Sequence, residues 1–178
     1  CGCARGPYCY KGKYLSKSSN SPLVTPIFYI RIGFRAKFRF KGDISEWKTD
    51  SVTSMRSMFE GATSFNGDIT GWDVSNVIDM SGMFYTATIF NGDLNKWKTD
   101  SVTDMGYMFD SASSFKGDIS GWDVSNASNM RGMFDSATSF NGDISKWKTD
   151  NVKDMSSMFF WATRFNGDIS GWDVSNVT

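Results

Sequence analysis

The 178-residue sequence predicts a repeat solenoid, and three observations lead there. Trp47, Trp72, Trp97, Trp122, Trp147 and Trp172 recur at an unbroken interval of 25 residues. Phe40, Phe65, Phe90, Phe115, Phe140 and Phe165 form a second column at that interval, and Gly42-Asp43, Gly67-Asp68 and four later copies form a third. All ten methionines occupy two further columns, opening with Met55 and Met58 and returning as Met80 and Met83. A fixed period between about 20 and 50 residues marks a chain in which each unit buries its apolar face only against its neighbours.

Each unit divides into two elements. Val52, Met55, Met58, Phe59 and Ala62 are spaced by three, three, one and three. Residues three and four apart share one face of a helix, so this stripe predicts one short α or 3₁₀ helix per unit. It starts near Ser54 and the equivalent Asp79, Asp104, Asn129 and Asp154, residue types that cap free N–H groups and offset the helix dipole. The Gly-Asp-Ile-Ser part has no helical spacing, follows an Asn-Gly turn signal and carries a branched apolar residue, which predicts a short strand. One strand and one helical turn per 25-residue coil is a leucine-rich-repeat-like arrangement, with successive strands pairing in parallel about 4.8 Å apart. Six such coils make a rod of roughly 30 Å by that spacing.

A second period overlies the first. Trp-Lys-Thr-Asp at residues 47, 97 and 147 alternates with Trp-Asp-Val-Ser at 72, 122 and 172. Stacking brings Lys48, Asp73, Lys98, Asp123, Lys148 and Asp173 into one column of alternating sign, worth some tenths of a kcal/mol per exposed pair. It reads first as a solvated ladder left by duplication of a 50-residue unit, and otherwise as a stripe for a partner.

The ends differ from the middle. Residues 1–26 are rich in Gly, Pro, Ser and Lys and read as a loose basic arm. Residues 27–39 read as an amphipathic capping strand, since apolar and basic residues alternate from Ile30 to Phe40, or as a degenerate coil, since Ile27, Ile30 and Phe34 fall 25 residues before Val52, Met55 and Phe59. Residues 40–178 form the solenoid of about six coils. Residues 1–41 hold nine Lys or Arg and no acid, whereas 42–178 hold ten basic and nineteen acidic residues. An acidic rod does not track nucleic-acid phosphates. No stretch reaches transmembrane length and none resembles a secretory apolar segment. The chain opens on Cys1 and stops at Thr178 partway through a seventh unit, so it reads as a truncated or processed piece whose uncapped last coil invites end-to-end self-association. Cys1, Cys3 and Cys9 are an odd cluster, open to lipidation, a disulfide or free thiols.

The run Phe65-Asn-Gly-Asp-Ile-Thr-Gly-Trp-Asp-Val-Ser-Asn-Val-Ile-Asp-Met-Ser-Gly-Met-Phe84 resembles the repeat of BspA-type leucine-rich-repeat surface proteins, a group that includes bacterial lipoprotein repeats. The resemblance covers Phe40 to Thr178; the Trp-Lys-Thr-Asp units and Ala127 depart from it. It implies an extracellular or cell-surface location and a role in adhesion or protein binding, with no catalytic residue to carry over.

Searching for chemistry leaves little. With no histidine in the chain, the usual triads and most zinc sites are absent, and there is no phosphate-binding glycine motif. Acidic pairs recur identically in every unit, unlike a reaction centre, which needs one place where symmetry breaks. No catalytic residue, cofactor or metal ligand is therefore assigned. The aspartate column at 43, 68, 93, 118, 143 and 168 reads as carboxylates accepting turn N–H groups, with a calcium ladder as the alternative. The hydroxyl column at 63, 88, 113, 138 and 163 reads as loop backbone satisfaction, with ice binding as a distant alternative. Repetition breaks at Phe160 and Trp161, and at Tyr85, which varies the same position as Phe160. These three are the candidate partner contacts, unless they pack against a further coil. The expected function is a non-enzymatic adhesion or protein-binding rod with a protein or surface ligand; a structural spacer is the alternative.

Overall fold

The computed structural model describes residues 41–178; the expected arm at 1–26 and the capping strand or degenerate coil at 27–39 lie outside the described residues. Consecutive repeats lie against one another in register. Isolated parallel bridges join Ser54 to Asp79, Asp79 to Asp104, Asp104 to Asn129 and Asn129 to Asp154, each across 25 residues. The same translation relates the stacked rings Phe59, Phe84, Phe109 and Phe134, whose centroids lie 5.5 to 5.7 Å apart.

Both predicted elements need correction. Among the described residues there is no α or 3₁₀ helix and no strand longer than a single bridge. The stripe from Met55 to Ala62 is instead a chain of turns. Within it, N–H groups of Met58, Glu60 and Ala62 donate to the carbonyls of Met55, Ser57 and Phe59, each three residues back. The alternate N–H groups leave the repeat. Those of Met55, Ser57, Phe59 and Gly61 donate to Asp79, Ser81, Met83 and Tyr85 at 2.7 to 2.9 Å. An apolar spacing of three arises from chained three-residue turns as readily as from a helix, and here the backbone bonds choose the turns.

The reversal between turns needs left-handed backbone at two places in each repeat. Ser57 and Gly61 have φ of 54° and 70°, and Tyr107 and Ser111 repeat this at 56° and 57°. A helix has no such residues. The ladder thus runs through the segment expected to be helical, and not through Gly-Asp-Ile-Ser. There the backbone groups are used locally: Asp68 Oδ1 accepts the Thr70 N–H, and the Trp72 N–H donates to the Ile69 carbonyl.

The core is a set of side-chain columns. Phe59 stacks on Phe65 at 4.0 Å within a repeat, and the Phe65, Phe90, Phe115, Phe140 column continues at 5.9 to 6.1 Å. Met55, Met80, Met105 and Met130 are fully buried beside them. Thioethers without branching fill the gaps that flat rings leave. Each indole N–H of the 25-residue column from Trp72 to Trp172 donates to the carbonyl 28 residues earlier, as Trp122 Nε1 does to Leu94 at 3.0 Å. Polar side chains stitch the surface. Asn76, Asn126 and Asn176 Nδ2 donate to Asp50, Asp100 and Asp150 carbonyls at 2.7 Å. Asn66 and Asn91 Oδ1 accept the N–H of Asn91 and Lys116 at 2.8 Å.

Two substitutions test this architecture by urea denaturation. Phe109→Ala, in the middle of the ring column, is expected to cost about 3–5 kcal/mol. Lys116→Asn restores the acceptor that the Asn141 N–H lacks in its column and is expected to add about 0.5–1 kcal/mol. A Phe109→Ala loss below about 1 kcal/mol means that the column is not what holds the repeats together.

Candidate functional site

Many positions of the repeat carry the same residue type in every copy; among those that vary, four columns lie on the turns that carry the ladder. One holds Arg56, Ser81, Gly106, Arg131 and Ser156; the next holds Ser57, Gly82, Tyr107, Gly132 and Ser157. A third holds Glu60, Tyr85, Asp110, Asp135 and Phe160, and the fourth Gly61, Thr86, Ser111, Ser136 and Trp161. Chained turns put Met55, Met58, Phe59 and Ala62 inside and leave these four columns on the outer surface.

Nine of these side chains line an open groove of about 280 Å³, with Ser57, Ser81, Gly82 and Gly106 as small residues and Arg56, Glu60, Tyr85, Tyr107 and Asp110 as large ones. Tyr85 and Tyr107 are each 38% exposed. Tyr107 is held in place. Arg131 Nε donates to its hydroxyl, the guanidinium carbon lies 6.0 Å from its ring centroid, and a Cβ on Gly132 would fall 2.7 Å from the ring. Arg56 and Arg131 each approach the aspartate of the following repeat, Asp79 and Asp154, at 3.9 Å. Exposed pairs at that distance contribute tenths of a kcal/mol.

The three sequence-predicted contacts share this face without touching as a group. Tyr85 lines the groove, and Phe160 is three repeats further along the same column, about 15 Å away by the ladder spacing. Trp161 sits beside Phe160, ring centroids 6.0 Å apart, and the two are 68% and 58% exposed. Sequence reasoning missed Tyr107 and Arg131. The signal was available, since Tyr107 breaks a column of Ser and Gly as plainly as Trp161 breaks its own.

The carboxylates fall into two kinds. Asp68, Asp118, Asp143 and Asp168 accept the N–H two residues on, and that bond is the main reason their pKa values lie below the ordinary 3.8. In Asp73, Asp123, Asp154 and Asp173 the serine hydroxyl two residues on contributes most to the same lowering. Lys98 and Lys148 add only the smallest share for Asp73 and Asp123, so the alternating-charge column matters little to these carboxylates. No cluster of three metal-ligating side chains forms among the described residues. The hydroxyl column works on backbone, with Ser113 Oγ donating to the Thr88 carbonyl at 3.3 Å. Asp110 is the exception. Burial pushes its carboxyl above the ordinary value, the Ser111 hydroxyl partly offsets this, and the like charge of Asp135 adds to it.

These repeats match a known family model, described as a Mycoplasma protein of unknown function, DUF285, over residues 20–120 and again over 92–178. The chain belongs to the DUF285 family. Two overlapping matches make DUF285 a repeat family in this chain, and the first match takes in residues ahead of Phe40. No curated protein and no solved structure matches the chain. No helix of the described DUF285 repeats is long and apolar enough to cross a membrane.

The pKa directions give a signed expectation. Eight aspartates with folded values below 3.8 contribute stability that is present above 3.8 and lost as pH falls through those lower values. Asp110 has the opposite sign: its contribution is full below 3.8 and is lost as pH rises through its higher folded value. The melting temperature should hold level above about pH 5 and fall on acidification below 3.8. Asp110→Asn should raise it at neutral pH and leave the acid limb in place, which a pH series by circular dichroism checks.

Proposed function

We propose that the chain is a repeat solenoid of the leucine-rich-repeat-like kind whose variable face binds a protein at a cell surface, with no catalytic chemistry of its own. One observation carries this reading. Tyr107 and Trp161 both take φ of 56°, in columns where the other copies hold Ser, Gly or Thr. Left-handed backbone costs an L-residue about 1–2 kcal/mol, and a bulky side chain there is an outlier. A residue of that kind, left exposed, is placed at the expense of stability. Aromatic rings and arginine are the side chains that anchor protein interfaces.

The composition supports the same reading. Each repeated column presents the same groups at every level, whereas the variable columns offer a row of different ones at a spacing of about 4.8 Å. The resemblance of Phe65 to Phe84 to BspA-type surface repeats supports an adhesive role outside the cell. A spacer rod would have no use for strained exposed aromatics.

The test separates stability from binding. Trp161→Gly removes the exposed ring and suits the left-handed backbone, so it is expected to leave stability unchanged or raise it by about 1 kcal/mol. Adhesion of beads coated with the chain to epithelial monolayers and to matrix-protein films should fall at least several-fold in Trp161→Gly and in Tyr107→Gly. Adhesion equal to the parent chain in both variants overturns the binding reading and leaves the spacer.

A further inference from the structure

The groove itself says what the partner must offer. Tyr107 forms one wall and Tyr85 another, and the small residues between them, Gly82 and Gly106, leave the space open. Because Tyr107 leans onto Gly132 and is tied by its hydroxyl to Arg131, the wall is fixed before any ligand arrives. A ring so held needs no ordering on binding.

Charge selects the occupant. Asp110 reaches into the groove with only the Ser111 hydroxyl as a hydrogen-bond donor, at 2.7 Å, and Asp135 repeats that arrangement one level on with Ser136. No Lys or Arg among the described residues lies within ion-pair distance of either, since Arg56 and Arg131 approach Asp79 and Asp154. Two like charges on adjacent repeats, one of them half-buried, are destabilising until a cation joins them. Aromatic faces beside a carboxylate suit an ammonium or guanidinium group, and the Tyr107 ring already takes one from Arg131. The lining agrees in sign, because Glu60 joins Asp110 there while Arg56 is drawn toward Asp79. Residues 42–178 carry nineteen acids against ten bases, even though residues 1–41 bring the whole chain to zero net charge.

We propose that the groove between Tyr85 and Tyr107 receives a lysine or arginine side chain from an extended segment of the partner protein, with Asp110 as its counter-ion. The inference rests on the binding reading above and narrows it to a basic polypeptide. Tyr85 and Tyr107 flank the stem of the incoming side chain, Asp110 takes the charge, and Asp135 supports it from the next repeat.

Fluorescence polarisation on the full chain tests it with three probes: a labelled Gly-Lys-Gly-Lys-Gly-Lys-Gly peptide, the same peptide acetylated on every lysine, and a neutral chitin hexasaccharide. The lysine peptide should bind, and the acetylated peptide and the sugar should not. Asp110→Asn, which keeps the shape, should weaken the lysine peptide about tenfold, as should Tyr85→Ala, while raising salt weakens it further. Equal binding of the acetylated peptide, preference for the sugar, absence of lysine-peptide binding, or an Asp110→Asn affinity equal to that of the parent overturns the proposal. Loss of bead adhesion in Trp161→Gly together with any of those results removes this inference and leaves the binding face standing. Unchanged adhesion in all the face variants removes both.

Discussion

Stacked aromatic columns set the register on which every other feature of the molecule depends. Phe59, Phe84, Phe109, Phe134 and Phe159 lie nearly parallel, 3° to 8° apart, with centroids at 5.5 to 5.7 Å. Hydrogen bonds between repeats hold backbones about 4.8 Å apart, so rings at these larger separations are slipped sideways, the offset geometry that aromatic pairs prefer. Ring stack and backbone ladder therefore demand the same translation of one repeat. A shift by a single residue would break both. That agreement explains how a chain with no helix and no extended strand among its described residues holds one conformation.

Register has a consequence for the surface. Once the inner columns are locked, the outer positions of each turn are held at known heights along the ladder, whatever residue occupies them. Arg131 can meet the Tyr107 hydroxyl, and Arg56 can approach Asp79, because neighbouring repeats present their outer columns at a fixed offset. The face therefore accommodates different side chains without altering the core beneath it. Strain at Tyr107 and Trp161 is tolerated for the same reason, since the ladder bonds on either side over-determine the backbone there.

The period, the ring and methionine columns and the aspartate turns were all legible in the residues, because each is a statement about which side chain recurs. Asp68 accepting the Thr70 N–H follows from an acidic residue placed two before a turn N–H. The position of the ladder was not legible. Met55, Met58 and Ala62 have the spacing of a helical face, and a three-residue turn repeats at nearly the same interval. What separates them is the destination of alternate N–H groups, which no side-chain pattern records. Tyr85 and Phe160 stood out within their own column, but the pairing of Tyr107 with Arg131 joins residues from two columns. Their adjacency depends on the turn geometry that the helical reading replaced.

The doublet of repeats shows where the chain has been held and where it has been released. Inside, the 50-residue period survives in detail. Trp47 pairs with Trp72, Trp97 with Trp122 and Trp147 with Trp172 at 6.2 to 6.3 Å, and the indole bonds alternate between 3.0 and 3.3 Å. Buried Thr99 and Thr149 each donate to the carbonyl of the next repeat at 2.8 Å, while Val74 and Val124 take the alternate places in that column. On the outer face of the turns that period is broken at several positions, although the exposed column from Lys48 to Asp173 keeps it. Fifty residues separate Tyr85 from Asp135, Tyr107 from Ser57 and Ser157, and Trp161 from Ser111. Relaxed constraint alone does not account for this, because drift at a left-handed position favours Gly, Ser or Asn over Tyr and Trp. The substitutions run against the local backbone preference and toward exposed rings. Substitutions with that direction, set over a core that still keeps its doublet, are the pattern that the proposed binding face predicts.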